Sequence, residues 1–259
     1  MRLSISLLAV CLMLSVSPLS ADDTPHLRCV TTPTAASLRG RSYLLDTQLF
    51  EGGGLMQRVT FGLSDLVDIG ISYGGANIIG SDKPAWQPHC GFHAQVRILE
   101  ETMTQPALAA GFDSQGGGPY FKGAKLNRFH LKSRGGYIVM SRNYRLLGDL
   151  GIHAGANFSL ENDDGDEDPS FWAGINKTVG KRIECACEYD FATNDNENDS
   201  ITADRGYLNA AVTCTFGSSF TLECSVKNIL RNSKMNFSGA QEGKPQPSRE
   251  IRFWYTGRI

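Results

Sequence analysis

The stretch Leu150-Gly151-Ile152-His153-Ala154-Gly155-Ala156-Asn157-Phe158-Ser159-Leu160 decides the fold. Its even positions are Leu, Ile, Ala, Ala, Phe and Leu, and its odd positions are Gly, His, Gly, Asn and Ser. A period of two is the mark of a strand, because successive side chains of an extended chain point to opposite faces. One face here is apolar, and the other is small or polar.

The pattern repeats on both sides of this stretch. Ile183, Cys185, Cys187, Tyr189 and Phe191 alternate with Glu184, Ala186, Glu188 and Asp190. Leu208, Ala210, Val212, Cys214 and Phe216 alternate with Tyr207, Asn209, Thr213 and Thr215, and Phe220, Leu222, Cys224 and Val226 with Thr221, Glu223, Ser225 and Lys227. Earlier, Val67, Ile69, Ile71 and Tyr73 alternate with Asp68, Gly70 and Ser72, and Phe92, Ala94, Val96 and Ile98 with His93, Gln95 and Arg97. The periodicity predicts strands at 41–51, 55–64, 66–74, 90–100, 106–113, 134–144, 148–160, 169–178, 181–192, 205–216, 219–230 and 249–258. After Asp22 no segment carries a helical period.

The connections alternate in length. Ser64-Asp65, 101–105, 145–147, the turn at Gly180 and Gly217-Ser218 are short; 75–89, 114–133, 161–168, 193–204 and 231–248 are long. A membrane barrel has this asymmetry, with tight periplasmic turns at one rim and long loops at the other. The last strand, with Ile251, Phe253, Tyr255 and Gly257 on alternate positions before Ile259, is similar to the terminal signal read by barrel-assembly machinery, which usually ends in phenylalanine. A soluble β-sandwich also alternates, but its outer face carries charge throughout. Here the polar face is glycine, small polar residues and isolated charges of both signs, which suits the inside of a closed barrel. The expected fold is all-β: a single antiparallel up-and-down transmembrane β-barrel of about twelve strands. Tyr43, Tyr73, Tyr137, Tyr144, Phe158, Trp172, Tyr207 and Tyr255 are candidates for interfacial girdles.

Residues 1–21 read as a secretory signal peptide: Arg2, then the apolar run from Ile5 to Val16, then Pro18, Ser20 and Ala21 before Asp22. Residues 22–40 are expected as a periplasmic N-terminal segment and 41–259 as the barrel, in the bacterial outer membrane. The formal net charge of -2 gives no reason to expect a nucleic-acid partner. The five histidines sit in no nucleophile motif, so the chain is not expected to be an enzyme.

Ten charged residues fall on the inward face and are expected to line the lumen: Asp46, His93, Arg97, His153, Glu184, Glu188, Asp190, Glu223, Lys227 and Arg252. Mixed signs suit a paired network that narrows the channel, with an ion-selectivity path as the alternative. The loop Glu161-Asn162-Asp163-Asp164-Gly165-Asp166-Glu167-Asp168 clusters carboxylates around a glycine. Asp163, Asp164, Asp166 and Asp168 are candidate ligands for Ca²⁺, a hard cation that takes oxygen donors. The spacing departs from an EF-hand loop, and the plainer reading is a solvated turn. No other cofactor is expected. Cys185, Cys187, Cys214 and Cys224 lie on the apolar face as small fillers.

The runs Arg39-Gly40-Arg41-Ser42-Tyr43, Glu51-Gly52-Gly53-Gly54, Ser72-Tyr73-Gly74-Gly75-Ala76-Asn77-Ile78-Ile79-Gly80, Gly111-Phe112-Asp113-Ser114-Gln115-Gly116, Leu160-Glu161-Asn162-Asp163-Asp164-Gly165-Asp166 and Arg205-Gly206-Tyr207-Leu208-Asn209 resemble the YjbH-like proteins. These are bacterial outer-membrane β-barrels, some encoded with exopolysaccharide genes. The resemblance implies fold and location, and polysaccharide as a partner beside outer-membrane lipid and lipopolysaccharide. The chain departs from the family in its cysteines and in Ile259. Three functions follow: a narrow pore or accessory to envelope or exopolysaccharide export; a structural or adhesive surface barrel with a plugged lumen; a secreted soluble β-sandwich binding module.

Overall fold

The computed structural model describes residues 26–122, 127–196, 201–203, 205–233 and 246–259. The expected signal peptide lies outside the described residues, as do parts of the expected loops 114–133, 193–204 and 231–248. The strands are β1 (Ser42–Phe50), β2 (Gly54–Ser64), β3 (Val67–Ala76), β4 (Ala85–Trp86), β5 (Gly91–Leu99), β6 (Ala107–Asp113), β7 (Gly117–Lys122) and β8 (Asn127–Leu131). They continue with β9 (Gly135–Arg145), β10 (Asp149–Phe158), β11 (Ser170–Val179), β12 (Ile183–Asp190), β13 (Tyr207–Phe216), β14 (Phe220–Lys227) and β15 (Ser248–Arg258).

Twelve of these form one antiparallel ring, β1-β2-β3-β5-β6-β9-β10-β11-β12-β13-β14-β15. The ring closes where β1 pairs with β15, from Ser42 opposite Arg258 to Leu49 opposite Ile251. Each expected strand coincides with one wall strand. Closure removes the sandwich alternative, which needs two separate sheets. β4, β7 and β8 lie inside connections expected as loops. They are too short, and in β7 too rich in Gly and Pro, to show a period.

Burial is inverted relative to a soluble protein. Ile71, Phe92, Val96, Ile138, Met140, Ile152, Phe171, Ile175 and Val212 are exposed, while Asp46, Arg58, Glu184, Glu188, Asn209 and Arg252 are buried. In water such a belt forgoes about 25 cal/mol for every Å² left wet, whereas acyl chains cover it without that penalty. Three expected girdle residues turn inward instead: Trp172 and Tyr207 are buried, and Tyr137 bonds Gln95 across the interior. Strand parity, not residue type, sets their face. Tyr73, Tyr144 and Phe158 are exposed.

The described part of the segment expected in the periplasm, 26–40, instead packs inside the ring. It has no alternation, so nothing in its local pattern points to a wall. Thr34 N–H donates to Leu27 O at 3.0 Å and Cys29 N–H to Thr32 O at 2.9 Å, and Arg28 and Pro33 form an antiparallel bridge. The result is a tight hairpin over 27–34, followed by a lead into β1. Its apolar side chains supply the core that the polar wall lacks. Ala35 packs with Ala109, Val139 and Trp172, Val30 with Ala186 and Ala211, and Leu38 with Leu44 and Trp254. Small wall residues make the room: a Cβ on Gly174 would meet Cys29 Sγ at 2.8 Å.

Candidate functional site

The hairpin is gripped by one carboxylate. Glu188 on β12 accepts the backbone N–H groups of Val30, Thr31 and Thr32 at 2.9–3.0 Å. It also accepts the hydroxyls of Thr31 and Thr32 and the amide of Asn209, the last at 2.9 Å. Charge-assisted bonds of this kind are stronger than neutral ones, and here they compensate a carboxylate that is only 1% exposed. Other walls hold the backbone on either side. Ala35 N–H donates to Ser141 Oγ at 2.8 Å, Gln95 Nε2 to Ala36 O at 2.7 Å, and Leu38 N–H to Asp68 at 3.0 Å.

A polar ladder runs from Ala35 through four strands, β9 to β12, and back to His26 at the foot of the hairpin. Ser141 Oγ lies 2.8 Å from His153 Nδ1, and His153 Nε2 lies 2.7 Å from Asn176 Oδ1. Asn176 Nδ2 donates to Glu184 at 2.8 Å, and Glu184 lies 3.2 Å from His26 Nδ1.

A cavity of about 120 Å³ lies beside the hairpin in the lumen. Its charged lining is largely paired. Arg252 reaches Asp46 at 2.7–3.0 Å, Lys227 reaches Glu250 at 2.5 Å, and Arg134 reaches Asp190 at 2.6 Å. His93 lies 2.9 Å from Thr60 Oγ1. Glu223 is buried across from Arg252. Nine of the ten residues expected in the lumen are therefore buried on the inner face. Arg97 is half-buried at the short-turn rim, where it bonds Asp65 O at 2.7 Å and faces Glu100 at 3.6 Å.

Above the cavity, β7 and β8 form a hairpin that folds under the other long loops. Arg128 on β8 is 0% exposed. It holds Asp195 through two bonds at 2.9 and 2.6 Å, and it also holds Asp164. Lys132 bonds Asp164 at 2.8 Å. Glu161 accepts the N–H groups of Phe129 and Ser133; burial raises its pKa, and those donors pull against the rise. His130 is held neutral, its pKa lowered to about 3, first by burial and then by the Arg128 charge.

The acidic loop is thus a receptor for this hairpin's cations. Asp164 goes to Arg128 and Lys132, while Asp166 accepts the N–H groups of Asn196 and Asp168 at 3.0 and 3.1 Å. Asp163 and Asp168 stay exposed. The structure does not bring the four candidate Ca²⁺ ligands together, and no cluster of three potential ligands occurs among the described residues. All six described cysteines are free; Cys29 is buried, Cys185 and Cys224 are exposed, and Cys187 and Cys214 are half-exposed.

Sequence reasoning missed Arg28, Arg58, Asp113 and Arg128. Strand parity could have found Arg58, but β2 blurs it: Met56 points in, while Gln57 bonds Thr47 on the other face. Arg28 and Arg128 lie where no period exists.

No family model and no curated protein matches the chain in sequence. Among solved structures it is similar to the KdgM porin, with a TM-score of 0.51 and 10% identity over 83% of this chain and 98% of that one. The KdgM porin in complex with disordered oligogalacturonate gives 0.49 and 10% over 84% and 99%. The outer membrane protein Omp33 of Acinetobacter baumannii gives 0.46 and 7% over 84% and 97%. At these identities the likeness is one of fold. With its closed ring and its apolar belt, the chain has the twelve-stranded outer-membrane β-barrel fold, which it shares with the KdgM porin.

Proposed function

We propose that the barrel is a narrow pore gated by its own N-terminal hairpin. The observation that carries this reading is how the hairpin is held: Glu188, Ser141, Gln95 and Asp68 bond its backbone, and a cavity lies beside it. Each of these bonds contributes a net of only about 1–3 kcal/mol and has a substitute in a bond to water once the hairpin leaves. Envelope polysaccharide, implied by the YjbH-like resemblance, is the cargo we assign to the open state, with the barrel as pore or as export accessory. Outer-membrane lipid and lipopolysaccharide surround the belt, and assembly machinery receives β15. The roof over the cavity favours a second reading, a structural or adhesive surface barrel with a plugged lumen.

Single-channel recording in planar bilayers separates the two. The full chain should give small, intermittent currents. A variant lacking residues 26–36 should give steady currents several-fold larger. To remove the roof as an obstacle, the same deletion is recorded with residues 117–131 replaced by a short Gly-Ser link. Silence from both variants, each shown to be folded by heat-modifiable migration, would favour the plugged barrel.

A further inference from the structure

The hairpin carries Arg28 into the cavity. There Arg28 Nη2 lies 3.2 Å from Asp113 Oδ2, the same oxygen that Arg58 Nη1 reaches at 2.9 Å. The other oxygen of Asp113 accepts the N–H of Gln115 at 2.9 Å. Two guanidiniums therefore share one carboxylate. Arg252, Lys227 and Arg134 each have a carboxylate of their own in Asp46, Glu250 and Asp190, and Lys132 shares Asp164 with Arg128, which also holds Asp195. Asp68, the other carboxylate of the lining, bonds the N–H of Leu38. Arg28 and Arg58 are thus the two cations of the lining left with one carboxylate between them.

A second, independent observation lies on the same wall. His93 is 9% exposed and lines this cavity. Its Nε2 faces Thr60, while its Nδ1 has no hydrogen-bond partner. An unpaired buried polar atom costs about 1–3 kcal/mol, and an uncompensated charge costs more. One kind of guest relieves both: an anion whose oxygens accept from guanidinium and imidazole.

We propose that the cavity binds a small oxyanion, a carboxylate or a phosphate, through Arg28, Arg58 and His93. The inference rests on reading the hairpin as a movable gate. A space of about 120 Å³ is well below the roughly 300–1,000 Å³ of pockets for drug-sized ligands, so the guest is a single small group and not a polymer in transit. Because Arg28 belongs to the hairpin, the site is complete only while the hairpin is docked. Binding and docking are then linked, and the anion holds the lumen closed.

The test uses the full chain purified in detergent. Inorganic phosphate and acetate are titrated in turn, with line broadening in ³¹P and ¹³C NMR as the binding readout. Docking is read in parallel as the rate at which a water-soluble maleimide labels Cys29, quantified on its peptide. At least one anion should bind saturably, Arg58→Gln and Arg28→Gln should each weaken it ten-fold or more, and saturation should slow Cys29 labelling several-fold. Which anion binds tells a carboxylate guest from a phosphate one. Saturable binding of neither anion, or binding that survives Arg28→Gln, overturns the site; Arg28→Gln leaves the wall untouched, so misfolding does not blur the result. A hairpin deletion that conducts, in a chain that binds neither anion, sinks the site and keeps the pore. Anion binding by a chain whose deletion stays silent does the reverse.

Discussion

The lumen is closed at two levels, and the two closures use charge in opposite ways. At the inner one a wall carboxylate, Glu188, grips the backbone of the N-terminal hairpin. At the outer one a side-chain cation on the β7–β8 hairpin, Arg128, grips carboxylates of two loops. The Glu188 grip is taken mainly on backbone N–H groups, and Arg28 on Asp113 is the hairpin's side-chain ion pair beside it. The outer grip is an ion-pair knot, and it responds to whatever changes charge.

The largest expected effect breaks the inner closure alone. Glu188→Ala leaves three buried N–H groups without an acceptor, a loss of about 3–6 kcal/mol. Cys29 labelling should rise by orders of magnitude while exchange of the β8 amides stays as in the parent chain. Equal loosening at both ends would show that the closures are one unit. Next comes the outer knot. Arg128→Met strands Asp195 and leaves Asp164 to Lys132 alone, a local loss of about 3–5 kcal/mol. Protease should then cut within 117–133 and leave Cys29 protected; cutting at the parent rate would mean that the knot does not hold the roof.

The smallest effect separates the two by pH. His130 has a folded pKa of about 3 against an ordinary 6.5, so its neutral form is the folded one. Its contribution is complete above pH 6.5 and is lost as pH falls from there toward 3, by about 1 kcal/mol per pH unit. Between pH 7.5 and 5.5, exchange of the β8 amides, corrected for intrinsic rates, should quicken several-fold. Unchanged protection of β8 over that interval would remove His130 from the roof's pH response.

The walls were legible because a barrel wall is a local object: one face meets lipid and the other does not, and parity writes this into every strand. Glu188 and Arg252 could be placed inward for that reason. Their partners could not. Thr31 and Glu188 are 157 residues apart, and Asp46 and Arg252 are 206 apart. The acidic loop illustrates the limit from the other side. Clustered carboxylates suggested a cation, and the cations are the chain's own Arg128 and Lys132, one on a two-stranded hairpin with no period to announce it. The hairpin over 27–34 was hidden because what holds it in place is wall residues far away in sequence, such as Glu188.

The ladder from Ala35 to Glu184 has a direction. A carboxylate only accepts, so Asn176 must give Glu184 its amide hydrogen and turn its carbonyl to His153. Neutral His153 then carries its proton on Nε2 and offers Nδ1 as acceptor, which the Ser141 hydroxyl fills, leaving Ser141 oxygen for the N–H of Ala35. Every proton in the row leans the same way, like a line of turnstiles. A second proton on His153 would arrive at Nδ1 and turn that acceptor into a donor, so the Ser141 hydroxyl would lose its acceptor and have to turn its own hydrogen away. One proton added deep in the wall would thus reach the oxygen that holds Ala35.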